Sequence, residues 1–198
     1  MALSKTRLKL VDVARQLFAK NGLENTTMND IAIASGKGRR TLYTYFKNKE
    51  EIYHAVIQSE LERLSDRLKE VAESNLDPEQ KVVQLIYTHL DLIKETVLRN
   101  GNLRAEFFRN IWLVEKMRKN FDQVERNLLT RILMEGVRRG TMEVENLPLI
   151  VDVIHYCVKG LEVPSIYGRL PGGSDVNANR TTVEWLVHRA LGKKEREI

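Results

Sequence analysis

Residues 26–50 read TTMNDIAIASGKGRRTLYTYFKNKE, and the fold of the chain turns on them. Thr27 followed by Asp30 has the spacing of a capping box and opens a short helix, MNDIAIAS. Gly36 supplies a residue that tolerates positive φ where that helix must stop, and a second short helix is expected over residues 38–46. Ile31, Ala32, Leu42 and Phe46 carry no polar handle and are expected to form the small core that clamps the two helices. The second helix keeps Thr, Tyr, Lys and Arg for its outer surface. These side chains can reach phosphate oxygens and base edges when a helix enters the DNA major groove.

Charge points the same way. Residues 1–50 hold ten Lys/Arg against four Asp/Glu, a net of +6, while the other 148 residues hold 22 against 23. A solvated surface usually mixes both signs, so a positive excess confined to one quarter of the chain implies a polyanion partner.

Outward from this segment, apolar residues recur at helical spacing. Leu10, Ala14, Leu17 and Phe18 make one stripe, closed by Asn21-Gly22. Asn48 with Glu51 opens a long helix whose inward residues are Ile52, Val56, Leu61, Leu64, Leu68 and Val71. Pro78 suits the first turn of the next helix. Gly140 closes another, which runs through Met117, Phe121, Val124, Leu128, Ile132 and Val137. Residues 147–167 are apolar on nearly every side, which calls for more than one burial partner. Residues 176–191 form the last helix. With four prolines and no convincing strand, the chain is read as all-α, with about nine helices. A helix-turn-helix head of three helices spans residues 1–50, and a helical body spans 51–198.

The N-terminus, MALSKTRLKL, lacks an apolar h-region and is not a secretory signal. No apolar run approaches the roughly 20 residues that span a bilayer. The single cysteine, Cys157, excludes an internal disulfide and fits a reducing compartment. It is read as a buried small hydrophobe, and the expected location is cytoplasmic, away from membranes.

The pattern T-x-x-x-I-A-x-x-x-G followed by T-L-Y-x-Y-F-K-N-K-E-E resembles the N-terminal domain of TetR-type transcriptional repressors. It is carried by Thr27, Ile31, Ala32, Gly36, Thr41, Leu42, Tyr43, Tyr45, Phe46 and Lys49, within a match over residues 8–57. The candidate DNA contacts are Thr27, Lys37, Arg39, Arg40, Thr41, Tyr43, Thr44, Tyr45, Lys47 and Lys49. Arg39 and Arg40 fall in the first turn of the recognition helix, where a guanidinium suits guanine O6 and N7. Lys49 is placed as a phosphate clamp, as in similar proteins. The chain departs from the family at Lys37, where an apolar residue is usual, and at Gly38, where Ser commonly caps the helix.

The resemblance further implies a homodimer through the last two long helices, a palindromic double-stranded DNA operator, and a body enclosing a small apolar or aromatic effector. Tyr87, Phe107, Phe108, Trp112, Met117, Phe121, Met134 and Tyr156 are the candidate wall of that cavity, since flat rings and adaptable thioethers suit one. The rival reading is a constitutive helix-turn-helix regulator or architectural protein with no effector.

Chemistry of other kinds finds no support in the sequence. Gly36-Lys37-Gly38 begins like a dinucleotide fingerprint but continues with Thr41 and follows no strand. Neither a nucleophile elbow nor a Walker loop is present. Asp152 with His155, and Glu184 with His188, share helix faces, but neither pair has a third ligand for a metal. No catalytic residue, metal or cofactor is expected.

Overall fold

The computed structural model describes residues 4–101, 111–171 and 178–192, with the side chains of 111–114 outside the description. Phe107, Phe108 and the side chain of Trp112 therefore lie outside the described residues. Among those described there are eight helices and no strand. They are α1 (Lys5–Asn21), α2 (Met28–Ser35), α3 (Arg39–Tyr45), α4 (Lys49–Glu73), α5 (Pro78–Arg99), α6 (Ile111–Arg139), α7 (Leu147–Ile166) and α8 (Arg180–Leu191). The chain divides into two compact units, each drawn from two stretches: Met1–Glu62 with Glu95–Lys119, and Arg63–Lys94 with Asn120–Ile198. Helix α4 runs without a break through the boundary expected at residue 50.

The first unit buries Leu10, Ala14 and Phe18 of α1 against Ile31, Ala32, Leu42 and Phe46, and against Ile52, Tyr53 and Val56 of α4. The four residues expected to clamp the short helices are thus all core. Phe18 meets Tyr53 edge to face, with ring centroids 6.3 Å apart. Asn48 accepts the Glu51 N–H at 2.8 Å, so α4 begins on the cap its sequence announces. The last turn of α5 also belongs to this unit. Arg99 lies 3.9 Å from the buried Glu60 carboxylate, which Arg15 approaches at 3.8 Å.

The second unit packs Leu64 and Leu68 of α4, Val82, Leu85 and Leu90 of α5, Leu128, Leu129 and Ile132 of α6, and Val158 and Val187 of α7 and α8. Gly140, at φ 70, ends α6. The Glu143 N–H then donates to the Leu191 carbonyl at 2.9 Å and fastens the following loop to the end of α8.

Helix α7 corrects the sequence reading in an instructive way. Its buried face carries His155, Glu162 and Ser165 beside Val151 and Val158, whereas Leu149, Val153, Tyr156 and Val163 face outward. The exposed apolar residues recur at spacings of three and four, so they form one stripe. Cys157, expected to be buried, is exposed on the same side. It follows the exposed Val153 by four residues, about one helical turn, and therefore shares its face.

Candidate nucleic-acid interface

Helix α2 starts on the capping box read from the sequence. The Asp30 N–H donates to Thr27 Oγ1 at 3.2 Å, while the Thr27 N–H donates to Asp30 Oδ2 at 2.8 Å. Hydrogen bonds from the Thr27 side chain and backbone hold the Asp30 carboxyl below its ordinary range. At the other end of α2, Gly36 takes φ 66. Its N–H donates to the Ile33 carbonyl at 3.0 Å and the Lys37 N–H to Ala32 at 3.1 Å, the paired bonds of a Schellman motif. That motif usually brings an apolar residue to the place of Lys37. Here the lysine points to solvent and adds charge to the surface.

Helix α3 follows after a single residue, Gly38, at φ −66 and ψ 150, with no side-chain cap. Any residue adopts that conformation, and a Cβ there would meet no atom within 4 Å. Gly38→Ser is therefore expected to stabilise the head by about 0.5–1 kcal/mol, by capping α3 and by stiffening the unfolded chain. The thermal midpoint followed by circular dichroism should rise by roughly 1–4 °C. A fall would mean that the turn requires glycine for a reason other than its backbone angles.

The candidate DNA residues separate into two groups. Lys37, Arg39, Arg40 and Lys47 are exposed, as is Tyr43 at 45%. No acidic residue occurs in the first turn of α3. Cations at a helix N-terminus oppose its dipole, an arrangement that a polyanion would relieve. The other candidates already have partners. Thr27 caps α2, and Thr44 donates its hydroxyl to the Arg40 carbonyl at 2.9 Å. The Tyr45 hydroxyl lies 3.0 Å from Ser4 Oγ. Lys49 Nζ donates to the Leu23 carbonyl at 2.7 Å and ties the start of α4 to the loop after α1. Thr41 is half-buried.

The body presents two further features. One is an apolar groove of about 640 Å³ between α5, α7 and α8, lined among others by Tyr87, Val153, Ile154, Leu161, Val183 and Leu186. The other is a buried polar cluster. His89 of α5 contacts Glu125 of α6 through Nδ1 at 2.5 Å and Glu162 of α7 through Nε2 at 2.8 Å. His155 Nδ1 reaches the second oxygen of Glu125 at 2.5 Å. Burial opposes the charge on His89, but the hydrogen bonds to Glu125 and Glu162 carry its pKa up to about 9. Burial likewise opposes the charge on Glu125, and the bonds from His155 and His89 bring it down to about 2.

Of the residues expected to wall an effector cavity, Tyr87 lines the groove, and Phe121 is buried with its ring 5.7 Å from that of His89. Met117 packs against the core of the first unit. Met134 and Tyr156 are exposed, and the Tyr156 hydroxyl accepts from Arg126 at 3.1 Å. The polar cluster escaped the sequence reading. Its members come from three helices and up to 73 residues apart, so no local spacing links them.

The profile described as bacterial regulatory proteins, tetR family, matches residues 10–56. The probable HTH-type transcriptional regulator ArpR of Pseudomonas putida is 30% identical over 145 residues, 70% of this chain and 69% of that protein. The HTH-type transcriptional repressor KstR2 of Mycolicibacterium smegmatis is 26% identical over 172 residues, 84% of this chain and 80% of that one. A solved structure, the SmeT–triclosan complex, shares the all-helical fold with a TM-score of 0.69 at 19% identity, covering 98% of this chain and 95% of that chain. By the profile match and the 30% identity to ArpR, the chain belongs to the tetR family and is a DNA-binding transcriptional regulator.

Proposed function

We propose that this protein is a repressor that grips a palindromic operator as a homodimer and lets go when its body takes up a small molecule. In this reading residues 1–50 read the DNA, and residues 51–198 dimerise and sense. The observation that carries the dimer is the outer face of α7 and α8. Leu149, Val153, Tyr156, Val163, Trp185 and Leu186 are exposed there, and the apolar groove runs between the same two helices. A monomer in water rarely leaves so many large apolar side chains uncovered in one place. A second copy, related by a dyad, would cover both stripes and fill both grooves.

Two heads on a dyad suit a palindrome whose half-site centres lie about one helical turn apart, roughly 34–36 Å, or a multiple of it. An effector favouring the DNA-incompetent state tenfold would lower operator affinity by about 1.4 kcal/mol, enough to empty a marginally occupied site. Similarity to a repressor supports the first half of this reading, and the all-helical fold shared with a protein solved in complex with triclosan is in keeping with the second.

Selection from a random DNA pool should return palindromes, and sedimentation should give about twice the 22.9 kDa chain mass. Val153→Asp places a charge on an exposed position of the apolar stripe, so the fold should survive while the dimer does not. Operator affinity should then fall by about 10²–10⁴, the loss expected when two linked sites become independent. A stable monomer that held the palindrome as tightly as the parent protein would rule the dimer out.

A further inference from the structure

The first fifty residues hold ten basic side chains, and five of them lie outside the DNA surface drawn above: Lys5, Arg7, Lys9, Arg15 and Lys20. Arg15 is taken up by Asp12 at 3.1 Å, and the three lysines are exposed. Arg7 is different. It is half-buried, and its guanidinium carbon stands 5.2 Å from the centre of the buried Phe46 ring, at the residue that ends α3. Stacking holds a guanidinium by one face and leaves its five N–H donors around the rim. Among the described residues, no carboxylate pairs with that rim.

Two neighbours fix where this rim lies. One turn before Arg7, Ser4 Oγ is 3.0 Å from the hydroxyl of Tyr45, the last residue of α3, so the first turn of α1 is fastened there. Directly after Phe46 comes the exposed Lys47, whose N–H is held by the Glu51 carboxylate at 2.6 Å. Arg7, Tyr45 and Lys47 thus gather donors at one end of α3, about 9 Å by helical rise from Arg39 at the other. When the first turn of a recognition helix reaches base edges, its last turn is left by the sugar–phosphate backbone. We propose that Arg7 is a DNA-phosphate clamp, contributed by α1 from outside the helix-turn-helix pair. Its planar fork suits two phosphate oxygens at once, and the Phe46 ring holds it in place before DNA arrives. Neither the dimer nor the effector is needed for this contact.

Three full-length variants test it. Arg7→Met keeps an apolar stem over Phe46 and removes the charge. Arg7→Lys keeps the charge but not the fork. Lys9→Met removes an equal charge about 160° around α1 from Arg7, and controls for bulk electrostatics. Each is titrated by fluorescence anisotropy at several salt concentrations, with the operator selected from the random pool and with a random duplex of equal length. Arg7→Met should weaken both duplexes by roughly tenfold or more and lower the salt dependence by about one ion per head, with base preference unchanged. Arg7→Lys should keep the salt slope and lose part of the affinity, while Lys9→Met should bind as the parent does. Replacing single phosphates of the operator by uncharged methylphosphonates locates the contact. The parent should be weakened at one phosphate per half-site to which Arg7→Met is indifferent and to which Arg7→Lys responds less than the parent. An unchanged salt slope in folded Arg7→Met overturns the proposal, as does an equal loss in Lys9→Met. So does a fall in the thermal midpoint of Arg7→Met with DNA binding intact, which would reduce Arg7 to a cover for Phe46. Should Arg7→Met fail to fold, the methylphosphonate profile of Arg7→Lys decides, and one identical to the parent's overturns the clamp.

Discussion

Glu125→Gln should destabilise the body by about 3–5 kcal/mol, the usual cost of breaking a buried ion pair by removing one partner. Both oxygens of Glu125 accept from imidazole nitrogens, one from His89 and one from His155. An amide of the same shape can accept on one side only and turns its NH₂ toward a donor on the other. For a chain of this size the thermal midpoint should fall by roughly 6–20 °C. Glu162→Gln should cost less, because His89 would still hold Glu125. A Glu125→Gln protein as stable as its parent would show that the cluster contributes nothing to the fold.

The same cluster sets a pH window. The pKa of His89 stands at about 9 in the folded protein, against an ordinary 6.5. Its contribution is therefore complete below about pH 6.5 and is lost as pH rises through 9, since the unfolded chain gives up that proton first. Glu125 has the opposite sense. Its pKa is lowered from 4.5 to about 2, so its contribution is complete above about pH 4.5 and disappears as pH falls through 2. Stability measured by denaturant unfolding should be highest between these limits and decline from pH 7 to 9. The alkaline decline should be flatter in Glu125→Gln, whose His89 has lost one of its two carboxylates.

Much of the head was legible because its signals are local. Thr27 and Asp30 stand three residues apart, Gly36 lies at the one position needing a left-handed turn, and Ile31, Ala32, Leu42 and Phe46 have nothing to do but pack. Each statement needs only neighbours in sequence, and the structure places all of them as expected. The body was harder. Hydropathy marked residues 147–167 as apolar but could not say which face was turned inward, since that depends on α5 and α6 supplying His89 and Glu125 from 66 and 30 residues away. The same blindness put Cys157 inside when it is exposed. Lys49 carries a parallel lesson. A basic residue at the start of α4 reads as a phosphate clamp, yet its ammonium is held by the Leu23 and Glu24 carbonyls, a contact across 26 and 25 residues.

That division governs how substitutions in the head should behave on DNA. The Arg39 and Arg40 side chains are exposed, so Arg→Ala at either should leave stability within about 0.5 kcal/mol. A bidentate arginine–guanine pair is worth about 1–3 kcal/mol of discrimination. In the proposed dimer each substitution acts in both half-sites, so loss of a base-reading arginine should weaken the operator by roughly 2–6 kcal/mol, on the order of 30-fold to 10⁴-fold. Operators altered at single base pairs identify the reader. The parent protein discriminates at one symmetric pair of positions, and the variant lacking the reading arginine no longer does. Lys47→Ala, by contrast, is expected to remove a phosphate contact. It should weaken all sequences alike and lower the salt dependence by about one ion per protomer. Lys49→Ala should show a mixed effect, losing stability with its two carbonyl ties as well as affinity. If Arg39→Ala and Arg40→Ala both bind the selected operator as the parent does, with the same salt slope, then the recognition surface is not the first turn of α3.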